Sequence, residues 1–258
     1  MANDTANTIG SVEHTFTIVE SIAASGPTTL SELAEYVDMP KSTVHVHLRT
    51  LVDRNVLTRR GDKYDLGLKF LEMGGIARRR RDVYRTARDE VDGLADETGE
   101  ASHLGVEENG KRSILYKSEA EESVYDDAPT GERTHMHWTA LGKALLAHLP
   151  ESRVERIVDR WGLPAGTEST IVDRGRLFDE LERIRSRGFA IEDEERRIGV
   201  LAVAVPVMDV DAEDVVAAVS VSGPKRRLTA ADGDEIRPEI RNAVRSRANV
   251  IELQYNHY

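Results

Sequence analysis

Three short helical patterns followed at once by a basic hairpin, all within the first 70 residues, constrain this chain more than any other feature. Val12, Phe16, Val19 and Ile22 recur at helical spacing, as do Leu30, Leu33, Ala34 and Val37, and then Val44, Leu48 and Leu51. Stripes this short bury their apolar sides only against one another, which predicts a small tri-helical core. Thr29 stands three residues before Glu32, a capping box that starts the second helix. Asp38-Met39-Pro40 then makes a sharp turn, with Pro40 suited to the first turn of the third helix. Two short helices joined by a tight turn form a helix-turn-helix unit. Residues 56–60 and 63–66 read as strands around Gly61-Asp62, with glycine at the first central position of a two-residue turn.

The third helix carries Lys41, Ser42, Thr43, His45, His47 and Arg49, short hydrogen-bonding groups among cations, and Arg59, Arg60 and Lys63 cluster at the hairpin turn. Those are the groups that meet base edges and phosphates in a major groove. The pattern predicts a DNA-recognition helix with its wing; the competing reading is a helical bundle with a solvated basic face. Net charge is -11, yet residues 41–63 hold six basic side chains against two acidic ones. A DNA footprint needs such a patch and not an overall basic protein.

Only 7 of the 35 basic residues are lysine, while Asp and Glu total 46. The surface is similar to those of proteins from salt-accumulating archaea, with an ordinary acidic protein as the alternative. In concentrated salt, counterion release adds little to DNA affinity. Base contacts, shape and several half-sites then carry more, which favours a homo-oligomer.

At 258 residues the chain exceeds one typical domain, and roughly 70 residues suffice for a winged helix. We expect a winged helix-turn-helix at residues 1–75, a linker helix at 76–97 and a second domain at 98–258. No apolar run approaches the ~20 residues that span a bilayer. The opening MANDTANTIG lacks the charged and apolar regions of a signal peptide and reads as a frayed tail, so a soluble cytoplasmic protein without a membrane partner is expected. With no cysteine, disulfides, thiolate catalysis and cysteine-ligated zinc are excluded.

Along the linker, Arg78, Arg79, Arg80 and Arg81 suit either DNA backbone or the acidic surface of a partner subunit. The stripe Val83, Ala87, Val91, Leu94 and Ala95 is a natural place for dimer contacts. Beyond it, residues 101–106 and 112–117 are strand-like around Asn109-Gly110, a strong hairpin signal. A polar loop at 119–134 follows, then helices opening at Trp138, around Val154 to Trp161, and over 173–187 with Gly188 as its stop. Strands at 189–193, 199–207 and 215–222 precede a last helix, from Thr229 with Asp232 three residues later, to about Leu253. The fold class is α+β, with an antiparallel sheet flanked by helices in the second domain.

Ser220 and Ser222 lie two apart on one strand, so both hydroxyls point to one side of the sheet. They are either satisfied hydroxyls of the sheet or partners for a ligand oxygen. The segment Thr139-Ala140-Leu141-Gly142 precedes a helix, and its free amides suit a carboxylate. His103, His135 and His137 hint at a metal site, but no dedicated third and fourth ligands stand out and polar surface is the plainer reading. The run Glu192-Asp193-Glu194-Glu195 suits a cation, with a solvated acidic surface as the plainer reading in this composition. No phosphate-binding loop, nucleophile elbow or general base is evident, so no enzyme, cofactor or metal is expected.

Five segments, in order, carry a family resemblance: PKSTVHVHLRTL, YDLGLKFLEMG, TALGKALLAHLP, LERIRSRGFAIEDEE and AAVSVSGPKRRLT. Over nearly its whole length the chain resembles the IclR family of transcription regulators. Val46 stands where that family often has arginine, so base preference does not carry over, and Ala202-Val203-Ala204-Val205-Pro206 replaces a frequent AAPV. The resemblance implies a regulator that binds a pseudo-palindromic operator in double-stranded DNA as a homodimer or dimer of dimers. It also implies a small organic effector, a carboxylate or sugar-derived metabolite of a catabolic route. The family's effector pocket falls here on Ala140, Leu141, Glu192, Ala202, Ser220 and Ser222. The alternatives are an enzyme fused to a nucleic-acid module and an architectural DNA binder without an effector.

Overall fold

The computed structural model describes residues 8–121, 123, 128–230 and 235–257. The tail at 1–7, the proposed capping residue Asp232 and positions 122 and 124–127 of the polar loop lie outside the described residues. Contacts divide the chain after Ala77 into two units.

The first unit runs α1 (Gly10–Ser25), β1 (Thr28–Thr29), α2 (Leu30–Tyr36), α3 (Lys41–Asp53), β2 (Leu57–Arg60) and β3 (Lys63–Leu66). Its core is built from Ile18, Ile22, Leu33, Val44, Leu48, Leu51, Leu57 and Tyr64. The capping box forms in full: the Glu32 amide donates to Thr29 Oγ1 and the Thr29 amide to Glu32 Oε2 at 2.8 Å. Asp38 takes a left-handed conformation with φ 50° and turns the chain from α2 into α3. Two details depart from expectation. Phe16 is 61% exposed and Val12 also faces outward, because the buried stripe of α1 runs through Ile18 and Ile22 instead. Thr28 and Thr29 also pair with β3, giving a three-stranded sheet in the order β1-β3-β2 where two strands were read.

The linker is not one helix. α4 (Lys69–Arg79) contains Gly74 and Gly75 and ends before Arg80 and Arg81, after which α5 (Asp82–Thr98) begins anew from an extended Arg81. The apolar stripe expected to mediate dimer contacts is spent inside the second unit, where Val83, Ala87, Val91, Leu94 and Ala95 are buried. Four of these, Val83, Ala87, Val91 and Leu94, join the larger core. α4 itself buries no side chain.

In the second unit a six-stranded antiparallel sheet has the order β6-β5-β4-β9-β8-β7. These strands are β4 (Ala101–Glu108), β5 (Lys111–Ser118), β6 (Arg133–His135), β7 (Ala190–Asp193), β8 (Val200–Asp209) and β9 (Asp214–Pro224). β6 overlaps the end of the expected polar loop, since three residues are too short to show a period in the sequence. Alternation divides the sheet residues between two cores. Leu201, Val203, Val205, Ala217, Val219 and Val221 pack with α5 and α10 (Pro238–His257). Ala202, Ala204 and Ala218 pack with α6 (Ala140–His148), α7 (Glu151–Trp161) and α8 (Arg174–Arg187). Small residues on that side let α6 lie close. A Cβ on Gly105 would meet the Leu141 side chain at 2.9 Å, and one on Gly142 would meet the Met136 carbonyl at 2.0 Å.

The last helix starts later than Thr229. α9 (Lys225–Leu228) intervenes, Thr229 bridges to Ile236, and Pro238 opens α10, where a missing amide proton costs nothing. No helix among the described residues is long and apolar enough to cross a membrane.

Candidate functional site

On α3, Val44, Leu48 and Leu51 face the core, so Ser42, His45, Val46, Arg49 and Thr50 face outward. Thr43 and His47 are half-buried on the flank. His47 Nδ1 lies 2.9 Å from Thr15 Oγ1 and its ring meets His14 edge-on, which ties it to α1. Lys41 Nζ donates to Ser31 Oγ on α2 at 2.9 Å, and Arg49 stands 4.0 Å from Asp53 in an exposed pair worth little. On the hairpin Arg59 Nε donates to the Gly61 carbonyl at 2.9 Å, its guanidinium lies over Tyr64, and Arg60 pairs across the ladder with Lys63. Gly61 takes φ 65°, as a tight hairpin turn requires. Arg59, Arg60 and Lys63 are all exposed, so the cations crowd the tip.

In the second unit, Ala140 and Leu141 on α6, Glu192 on β7, Ala202 on β8, and Ser220 and Ser222 on β9 line one cavity of about 30 Å³. Four elements converge because Glu192 pairs with Ala202 and Ala202 with Ser222 across neighbouring strands, with the N-terminus of α6 above them. Thr139 caps α6, and its Oγ1 accepts from the Gly142 amide at 3.0 Å. The Gly142 amide is therefore used; among the described residues, no acceptor is bonded to the amides of Ala140 and Leu141. Two donors at a helix N-terminus, on residues that line the cavity, suit an anionic oxygen.

His103, Arg112, Thr139 and Arg196 line the same cavity; of these, Arg112 and Arg196 carry no signal in the sequence. Arg112, at the start of the strand-like run 112–117, is only 1% exposed. Glu132 joins the two arginines, accepting from Arg112 Nη2 at 2.9 Å and from Arg196 Nη2 at 2.6 Å.

The acidic run is not a solvated surface. Strand alternation and the turn after β7 put Asp193 and Glu194 outward, where Lys225 pairs with both, and Glu192 and Glu195 inward. Glu192 is 3% exposed, and burial pushes its carboxyl up to about 7 against the opposing pull of the Arg196 amide and Lys143. Glu195 is also pushed up by burial and accepts from Lys143 Nζ, a lysine with almost no contact with water.

The histidines are likewise more buried than expected. His137 Nε2 and Trp138 Nε1 both donate to the Pro164 carbonyl, and His135 lies beside Lys111. Burial and the Lys111 charge hold His135 down at about 4. Among the described residues no group of three or more His, Cys, Asp and Glu is arranged to hold a metal.

Residues 77–249 match the family described as bacterial transcriptional regulator IclR C-terminal, and residues 11–61 match the IclR helix-turn-helix domain. A "probable HTH-type transcriptional regulator ArcR" of Halobacterium salinarum is 36% identical over 252 residues, covering 95% of this chain and 94% of that one. The HTH-type transcriptional regulator BhcR of Paracoccus denitrificans is 33% identical, with 86% and 80% covered. The crystal structure of the Thermotoga maritima IclR superposes with a TM-score of 0.78 at 28% identity, covering 97% of this chain and all of that one. An IclR homologue from Microbacterium hydrocarbonoxydans, solved in complex with 4-hydroxybenzoate, shares the fold with a TM-score of 0.79 at 22% identity, covering 96% and 100%.

Proposed function

Because the chain belongs to the IclR family of DNA-binding transcription regulators, we propose that a small organic carboxylate or sugar-derived metabolite sets its affinity for a pseudo-palindromic operator near catabolic genes. Residues 1–75 bind DNA, residues 98–258 hold the effector, and α4 with α5 joins them. The observation that carries this reading is the convergence of two unclaimed α6 amides, Ser220, Ser222, Arg112 and Glu192 on one cavity. The cavity is small, about 30 Å³, and a wall that moves to admit the metabolite would give the protein two states. A ligand that fits only the moved state shifts the equilibrium between the two, as a switch requires.

A homodimer or dimer of dimers is supported by the apolar groups that the first unit leaves in water: Val12 and Phe16 on α1, Leu68 before α4, and Leu71 and Met73 on it. The stripe of α5 is not available for this purpose. The likeness to the Halobacterium salinarum relative supports the halophilic reading of the acidic surface.

Selecting bound duplexes from a random pool should enrich a two-fold symmetric sequence. Titrating carboxylates and sugar acids against that duplex should then reveal one that changes its affinity several-fold, with DNA changing the affinity of the metabolite by the same factor. Chemical turnover of the metabolite, or no change in either DNA affinity or melting temperature with any of them, would remove the effector assignment. Ser220→Ala with Ser222→Ala should weaken the effector response by about tenfold, the worth of two ordinary hydrogen bonds, and leave basal DNA binding intact. Replacing Arg59 and Arg60 with Ala should weaken binding to all duplexes alike. It should also flatten the salt dependence by about two units of log-log slope, since two phosphate contacts are lost; an unchanged slope would move the wing off the backbone.

A further inference from the structure

The outward side of α3 has an apolar centre. Val46 lies two residues from both Val44 and Leu48, about 200° round the helix from each, so it stands opposite the buried stripe. It is 63% exposed. Ser42 and Arg49 flank it along the same stripe, one turn before and one turn after. Thr50, beside it, turns its hydroxyl back to the Val46 carbonyl at 2.9 Å. Of the two imidazoles beside it, His47 is held by Thr15 on α1, while His45 faces outward about 100° round the helix from Val46.

Charge surrounds this centre without occupying it: Arg49 lies at one end, and Arg54, Arg59, Arg60 and Lys63 lie on the exposed surface beyond the helix. Cations at the margin of a recognition helix meet phosphates, and the outward residues of its first turns, Val46 in the second among them, meet the groove floor. Valine has no hydrogen-bonding group with which to read that floor. The one apolar group a base pair offers in the major groove is the C5-methyl of thymine.

We propose that Val46 reads a thymine by packing on its C5-methyl at the centre of each operator half-site. The inference rests on the operator-binding reading above and deepens it by naming one base and one side chain. It places base choice at Val46 rather than at His47.

The test uses the full-length protein and the duplex selected from random DNA. Each thymine of a half-site is replaced in turn by deoxyuridine, which removes the methyl and leaves every hydrogen-bonding group in place. At one position the wild-type protein should bind roughly fourfold more weakly, the worth of one buried methyl group. Val46→Ala should bind the thymine and deoxyuridine duplexes alike at that position. Alanine is the better helix former, and Val46 faces water, so the variant keeps the fold. If no deoxyuridine weakens the wild type, or if Val46→Ala keeps the wild-type ratio, the assignment is overturned. If selection enriches no sequence at all, the operator-binding reading falls first and takes this one with it.

Discussion

Lys143→Met should cost the second unit about 3–5 kcal/mol, because it leaves a carboxylate buried without its cation. Lys143 lies on α6 with its side chain 1% exposed, and Glu195 lies opposite with 10% of its side chain exposed. The pair anchors more than itself. Thr167 and Thr170 hydroxyls donate to the Glu194 and Glu195 carbonyls at 2.6 Å, so the turn after β7 is clamped from both its side chain and its backbone. That turn delivers Glu192 and Arg196 to the cavity. Urea unfolding should therefore show a lower midpoint for Lys143→Met at unchanged slope. Adding Glu195→Gln should recover at least half of the loss, since a neutral amide is far less costly to bury than an unpaired charge. A loss below about 1 kcal/mol would mean that water reaches the pair and that it behaves as a surface ion pair.

Lys143 also shows where the sequence stops being informative. In TALGKALLAHLP it is one charged residue in an apolar helix with no acidic neighbour to pair with; only the acidic partner 52 residues later makes it an interior residue. Arg112 misleads in the same way, because its burial depends on Glu132 and Arg196, far off in the chain. Elements with local causes were legible. The Thr29 and Glu32 capping box, the Asn109-Gly110 hairpin with φ 52° and 79°, and the Gly188 stop of α8 with φ 78° each follow from a few adjacent residues. The break between α4 and α5 was not, since it falls among four arginines while the glycines lie inside α4. The cavity positions Glu192 and Ala202 follow from the family resemblance alone, because nothing local marks an alanine as a wall. Only Ser220, Ser222 and the α6 amides carried a physical reason of their own, hydroxyls and donors that need partners.

Glu192→Gln should stabilise the protein at pH 8 by on the order of 3 kcal/mol and change it little at pH 5. In the unfolded chain this carboxyl titrates near the usual 4.5, and in the folded protein near 7. Below the lower value both states hold the proton and Glu192 costs nothing. Between the two the folded state keeps a proton that the unfolded state releases, so stability falls as pH rises, and above about 7 the full penalty of a buried charge is present. Burial is the main cause, and the nearby Glu195 carboxylate adds to it, so the neutral amide of glutamine escapes both contributions. The difference between wild type and Glu192→Gln, followed by urea unfolding from pH 4.5 to 8.5, should grow across this window and then level off. A constant difference would mean that Glu192 is solvated or permanently paired with Arg196. Retaining a group that weakens the fold at neutral pH fits a residue whose role is to meet a ligand. Protonated, Glu192 is a hydrogen-bond donor inside the cavity; ionised, it would repel an anion placed at the α6 amides. A carboxylate effector should therefore bind with uptake of a proton near neutral pH, and Glu192→Gln should bind the same effector without one.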